Sequence, residues 1–244
     1  RDAGEWAMVW QRIGVFILGI LAGSMLNRFI SWWPEQEADS GFQAVCPHCD
    51  HLWQGLEQVS LWGLLFSQGR CHYCGDHVPL RYIIVELATG GLFVLVSVRG
   101  TGTLDLVRLF LFVLLLVPLF FIDLKHHRLP NILTMPGIGL GLLLSAGLGH
   151  LKSAVAGLVV GGGVLLVVAL ITRGGIGMGD AKLQAMVGAF LGLRLMLISL
   201  AIGVILGGIV GLFLLAFQIR GRKDMIPYGP FLITGAVLAL LVVG

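Results

Sequence analysis

Residues 104–122 read LDLVRLFLFVLLLVPLFFI, and Asp123 follows directly. A run this apolar reaches the roughly 18 residues needed to cross a bilayer. It is not alone. Working outward from it, apolar runs fall at about 6–30, 82–99, 132–149, 152–171, 180–193, 195–217 and 227–243. With 104–122 they make about eight expected membrane segments. The sixth is short, begins at Asp180, and must tilt or be shielded by its neighbours. Composition agrees: 57% of the 244 residues are hydrophobic, 12% are charged, and mean hydropathy is +0.94. A soluble domain would need more polar surface than this. The chain also has 36 glycines, a residue favoured in membrane helices. The expected fold is an all-α polytopic membrane protein.

Basic residues set its orientation. An outside amino terminus puts 31–81, 123–131, 172–182 and 218–226 in the cytoplasm. Those stretches, with Arg28, hold Arg70, Arg81, Lys125, Arg128, Arg173, Lys182, Arg220, Arg222 and Lys223, which is ten of the 16 basic residues. The numbered chain starts at Arg1 rather than Met, and the run beginning at Trp6 reads as a retained anchor rather than a cleaved signal. A net charge of +3 without a basic, aromatic-interleaved face gives no reason to invoke nucleic acid. The expected domains are a first membrane helix over 1–30, a cytoplasmic tetracysteine domain over 31–81, and a membrane domain over 82–244.

All four cysteines lie in the second of these, as Cys46-Pro47-His48-Cys49 and Cys71-His72-Tyr73-Cys74-Gly75. Two such knuckles match a four-thiolate structural zinc site. So short a module has too little core to fold alone, and a metal supplies the missing stability. Two disulfides or free thiols are the alternatives. A cytoplasmic location disfavours the first, and the paired spacing disfavours the second. With Cys46, Cys49, Cys71 and Cys74 as ligands, no coordination position is left open for catalysis. His48, His51, His72 and His77 then read as surface or supporting residues.

Two acids carry more information. Asp123 ends the run quoted first and leads into Leu124-Lys125-His126-His127-Arg128-Leu129-Pro130-Asn131. Asp180 sits in Gly177-Met178-Gly179-Asp180-Ala181-Lys182-Leu183, opening another apolar segment. Acids at membrane depth are costly and therefore functional candidates. If the two approach, they do not both ionise easily. One carboxylate is then available to deprotonate water, and one carboxylic acid to protonate a scissile carbonyl. Gly177 and Gly179 leave room for an extended backbone beside Asp180. Taken singly, each acid could equally mark a helix end: Asp123 as interfacial charge, Asp180 as a dipole-favoured first-turn residue. Lys182 tunes the pair or simply obeys the inside-positive bias.

Together these residues resemble the prepilin peptidases, bifunctional leader peptidases and N-methyltransferases among the membrane aspartic proteases with a G-x-G-D signature. Asp123 with Leu129-Pro130 is similar to the first catalytic motif, and Gly177 to Leu183 to the second. Gly23-Ser24-Met25-Leu26-Asn27, the cysteine knuckles, Arg81-Tyr82 to Val85-Glu86, and Ile226-Pro227-Tyr228-Gly229-Pro230-Phe231 also agree, in family order. The stretch Arg28-Phe29-Ile30-Ser31-Trp32-Trp33-Pro34 lacks the family's Arg-Leu-Pro ending, and Ile83 replaces its proline. Both departures fall in the part associated with methyl transfer.

The resemblance implies Asp123 and Asp180 as catalytic residues in the bacterial inner membrane, facing the cytoplasm. The implied substrates are prepilins or type II secretion pseudopilins, cut after a glycine between a basic leader and a hydrophobic helix. Methylation of the new amino terminus with S-adenosylmethionine would follow. No glycine-rich Rossmann fingerprint marks a methyl-donor site. Glu86 is the candidate there, against a plain helix-pairing acid. Rival readings remain: a proton-coupled transporter would want acids at the bilayer midplane. A zinc protease would want His-Glu-x-x-His, which does not occur. A serine protease would want a matching Ser-His constellation. A zinc-ribbon scaffold leaves both aspartate motifs unexplained.

Overall fold

The computed structural model describes residues 2–33, 49, 70–71, 73–77, 79–171, 177–217 and 227–243. Most of the expected 31–81 domain, including Cys46, His48, His51 and His72, lies outside the described residues. Seven helices form among those described, and no strand beyond an isolated Arg70–His77 bridge. The chain divides into two compact units, Arg1–Val98 and Arg99–Gly244.

The amino-terminal unit pairs α1 (Asp2–Trp32) with α2 (Leu80–Ser97). Their backbones touch because glycines face the partner helix. A Cβ on Gly19 would lie 2.7 Å from Gly90 Cα, and one on Gly23 2.8 Å from Glu86 Cα. Small residues one turn apart are how membrane helices gain packing where lipid offers no hydrophobic drive. Polar bonds extend the seam: Asn27 Nδ2 donates to the Tyr82 carbonyl at 2.9 Å, and Arg81 Nη2 to Ser31 Oγ at 2.8 Å.

The carboxy-terminal unit contains α3 (Thr103–His126), α4 (Asn131–Gly147), α5 (Leu151–Ile171), α6 (Met178–Ala216) and α7 (Gly229–Val243). Helix α6 is its axis, packed by α5, α7 and α4. Every residue from Leu183 to Leu191 is buried. At Gly192 the helix breaks, with φ +77, a conformation that only glycine adopts without cost. A break inside apolar surroundings orphans backbone groups, which are costly where water is absent. Neighbouring helices satisfy them. Arg108 Nη1 donates to the Phe190 carbonyl at 2.8 Å, Ser145 Oγ to the Ala189 carbonyl at 2.9 Å, and Leu193 N–H to Ser153 Oγ at 3.2 Å. Asp105 holds Arg108 in an ion pair of 2.6 Å.

Each of the eight segments expected from apolar runs coincides with a helical stretch. The sixth and seventh segments are the two halves of α6, on either side of Gly192. Among the described residues, five helices are long and apolar enough to cross a membrane, so the chain is a multi-pass membrane protein. The apolar helices α4 and α7, of 17 and 15 residues, are shorter than that. At 1.5 Å per residue each falls a little short of a ~30 Å hydrocarbon layer.

The tightest crossing is α5 on α6. A Cβ on Gly157 would lie 2.7 Å from the Gly188 carbonyl, and one on Gly188 would run into the Gly157 backbone. Gly188→Ala should therefore cost about 1–3 kcal/mol from overpacking, offset by at most ~1 kcal/mol of helix propensity. Gly163→Ala meets nothing within 4 Å and should be neutral or stabilising. Thermal unfolding of both variants in detergent checks the contrast.

Candidate active site

Asp123 occupies the last turn of α3 and is 4% exposed. Apolar residues upstream make the helix. It stops because His127 turns left-handed, φ 51, and its N–H bonds the Asp123 carbonyl at 2.9 Å. The chain then reaches Leu129-Pro130, where proline provides the extended entry to α4. Pro130 also accepts the Leu133 and Thr134 N–H groups at 3.2 Å each.

Asp180 lies in the first turn of α6 and is 7% exposed. Its N–H donates to the Gly177 carbonyl at 3.0 Å, and its Oδ2 accepts the Gly177 N–H at 3.2 Å. The carboxylate so caps its own helix start, where anions are favoured. Gly179 has a packing reason: a Cβ there would stand 3.1 Å from Leu129 Cβ. The leucine of one motif rests on the glycine of the other. A second tie crosses the same seam, from Lys182 Nζ to Asn131 Oδ1 at 2.8 Å.

These contacts bring the two acids together. The Asp123 charge acts on Asp180, and that of His127 acts on Asp123. A third element closes on them. Gly229 lies against the Asp123 carboxylate, and the Tyr228 ring lies over Gly207, with Cε2 2.8 Å from where a Cβ would stand. Burial, and then the negative Asp180, push the Tyr228 phenol above its ordinary value. Asp123 Oδ2 is buried and accepts no hydrogen bond from the described residues. An oxygen in that condition is costly unless a water or substrate group completes it. The arrangement provides two largely buried carboxyl groups bordered by glycine backbone.

Reading the residues one motif at a time did not reveal the ties of Asn131 or the approach of Gly229. The glycine between two prolines was the available signal for the second. Lys182, read as tuning or topology, is engaged by Asn131 instead of standing free.

In the amino-terminal unit, Cys49, Cys71 and Cys74 converge, their sulfurs all within 4.8 Å of one another. The Cys49 and Cys71 Sγ atoms lie 3.9 Å apart. Zinc–sulfur bonds of about 2.3 Å in a tetrahedron put sulfurs about 3.8 Å apart, so this set fits a metal. The knuckle is shaped by backbone bonds from Gly75 N–H to the Cys71 carbonyl, 3.0 Å, and Cys71 N–H to the Asp76 carbonyl, 2.8 Å. Gly75 takes φ +75 there. Glu86 is fully buried on α2, against Gly23 of α1.

Comparison with known proteins adds to this geometry. Residues 109–212 match the model of the type IV leader peptidase family, and residues 17–99 the bacterial peptidase A24 amino-terminal domain. The chain is 36% identical over 208 residues to a prepilin leader peptidase/N-methyltransferase of Myxococcus xanthus, covering 82% of this chain and 62% of that protein. It is 33% identical over 261 residues to the one of Aeromonas hydrophila, covering 93% and 89%. With the Bacillus subtilis protein of the same name the identity is 27%, covering 93% and 92%. No solved structure matches. The chain belongs to the type IV leader peptidase family.

Proposed function

We propose that this protein is a prepilin leader peptidase in which Asp123 and Asp180 are the catalytic pair. The observation that carries the reading is the meeting of these two buried acids, one at the end of α3 and one at the start of α6, within electrostatic reach. One carboxylate takes a proton from water as it attacks the scissile carbonyl, and the other carboxyl group donates one to the carbonyl oxygen. The uncompleted Asp123 Oδ2 supports a place for that water or carbonyl. The bare backbone at Gly177, beside the Asp180 carboxylate, lets an extended substrate strand lie alongside.

The substrates are prepilins or pseudopilins, held by a basic leader and a hydrophobic helix and cut after glycine. The inside-positive bias supports a site on the cytoplasmic side of the bacterial inner membrane. Residues 31–81 form a domain closed by zinc on Cys46, Cys49, Cys71 and Cys74, and 82–244 carry the peptidase. Zinc there is structural, since four thiolates leave no open position. The relatives' names support a second activity, methylation of the new amino terminus from S-adenosylmethionine. Glu86 is the candidate acid for that step.

The test uses purified full chain in detergent with a prepilin peptide that carries the leader and the first helical residues. We expect a single cut after the glycine and, with S-adenosylmethionine present, a gain of one methyl group on the product by mass spectrometry. Absence of cleavage overturns the peptidase reading. Cleavage without mass gain removes the methyl transfer alone.

A further inference from the structure

The turn that starts α7, Pro227-Tyr228-Gly229-Pro230, approaches the acids from a side neither aspartate motif supplies. Proline is tolerated in a first helical turn, where no intrahelical N–H is needed. Glycine, however, is not called for by the local backbone. The glycines with left-handed φ are Gly75, Gly149 and Gly192, so the Gly229 backbone suits any residue. What excludes a side chain is Asp123. A Cβ on Gly229 would lie 2.5 Å from Asp123 Oδ2 and 3.0 Å from its Cγ, closer than real Cβ contacts allow. Gly229 is itself buried in the helix start, with the Phe231 and Leu232 N–H groups bonding the Tyr228 carbonyl at 3.1 and 3.3 Å. The Tyr228 ring, seated over Gly207 of α6, anchors the turn. The carboxylate is thus confined on this side by shape, since none of the described residues bonds its Oδ2.

From this we infer that Gly229 is a positioning residue for the reaction: its missing side chain leaves the room in which the Asp123 carboxylate is set. The inference rests on the reading of Asp123 as catalytic. It deepens that reading by naming what sets the geometry of the acid. A misplacement of about 1 Å at a reacting group costs on the order of 100-fold in rate.

Gly229→Ala, made in the full chain, should lower kcat for prepilin peptide about 100-fold and leave KM within about twofold of wild type. Gly208→Ala meets nothing within 4 Å and should leave both unchanged. A structural role alone is separated by melting temperature. Truncating Asp123 to alanine leaves only its Cβ, 3.5 Å from the added methyl, an ordinary contact. Gly229→Ala should therefore lower Tm in the wild-type background and leave it unchanged in the Asp123→Ala background. If Gly229→Ala fails to accumulate, its recovery in Asp123→Ala supports the inference and continued failure overturns it. Unchanged kcat, or equal Tm losses in both backgrounds, also overturns it. Full activity in Gly229→Ala with none in Asp123→Asn sinks this inference alone. Full activity in Asp123→Asn sinks the reading beneath it.

Discussion

Asp123→Asn and Asp180→Asn should each abolish cleavage, with rates at least about 1,000-fold below wild type, as expected when a general acid or base is lost. The double variant should be little slower than either single one, because the pair acts as a unit and its losses do not add. Asparagine keeps the size of aspartate, and at 180 its oxygen still accepts the Gly177 N–H. Folding is therefore preserved. At 123 a neutral amide removes the charge that acts on Asp180, so Tm should hold or rise while activity is lost. Single-turnover cleavage of excess enzyme over labelled peptide separates loss of chemistry from loss of binding. Wild-type rates in either variant would remove the aspartyl mechanism.

The second large effect concerns the thiols. Gently purified protein should carry one zinc per chain, and Cys71→Ser should carry nearly none. Cys71 is 5% exposed, the buried one of the three described cysteines that converge. Structural zinc sites in small modules are worth an apparent ~10–16 kcal/mol near neutral pH, so the loss should unfold the module outright. Limited proteolysis should then cut between α1 and α2, in Cys71→Ser and in chelator-treated wild type alike. Elemental analysis showing well under one zinc in wild type would rule out the metal-closed domain.

Apolar runs were enough to find the helices, because lipid selects for hydrophobicity over lengths a reader can count. They did not show what holds the segment ends. The break at Gly192 showed as a gap between two runs, and the helix does break there; its halves are joined through hydrogen bonds with Arg108, Ser145 and Ser153. Those partners lie on three other helices, and no local pattern announces them. The aspartates were legible because a carboxylate at a membrane edge is unusual wherever it occurs. The supports around them were less so. Leu129 against Gly179, Asn131 on Lys182 and Gly229 on Asp123 are contacts across distant sequence, and only the packed bundle brings them together.

Burial along α6 has a consequence for how this family can vary. Beyond Gly192 the helix turns exposed side chains outward at Ile205, Ile209, Leu212 and Phe213, where one aliphatic group serves as well as another. From Leu183 to Leu191 each residue instead faces protein, with Met186 beside Gly137 and Phe190 stacked on Phe112 at 5.0 Å. There an exchange of equal hydropathy still changes volume against fixed neighbours. The half of α6 that presents Asp180 is thus constrained by shape, residue against residue, in the manner of a soluble protein's interior. Drift can proceed freely at those exposed positions, while the stretch from Leu183 to Leu191 changes only when its neighbours change with it.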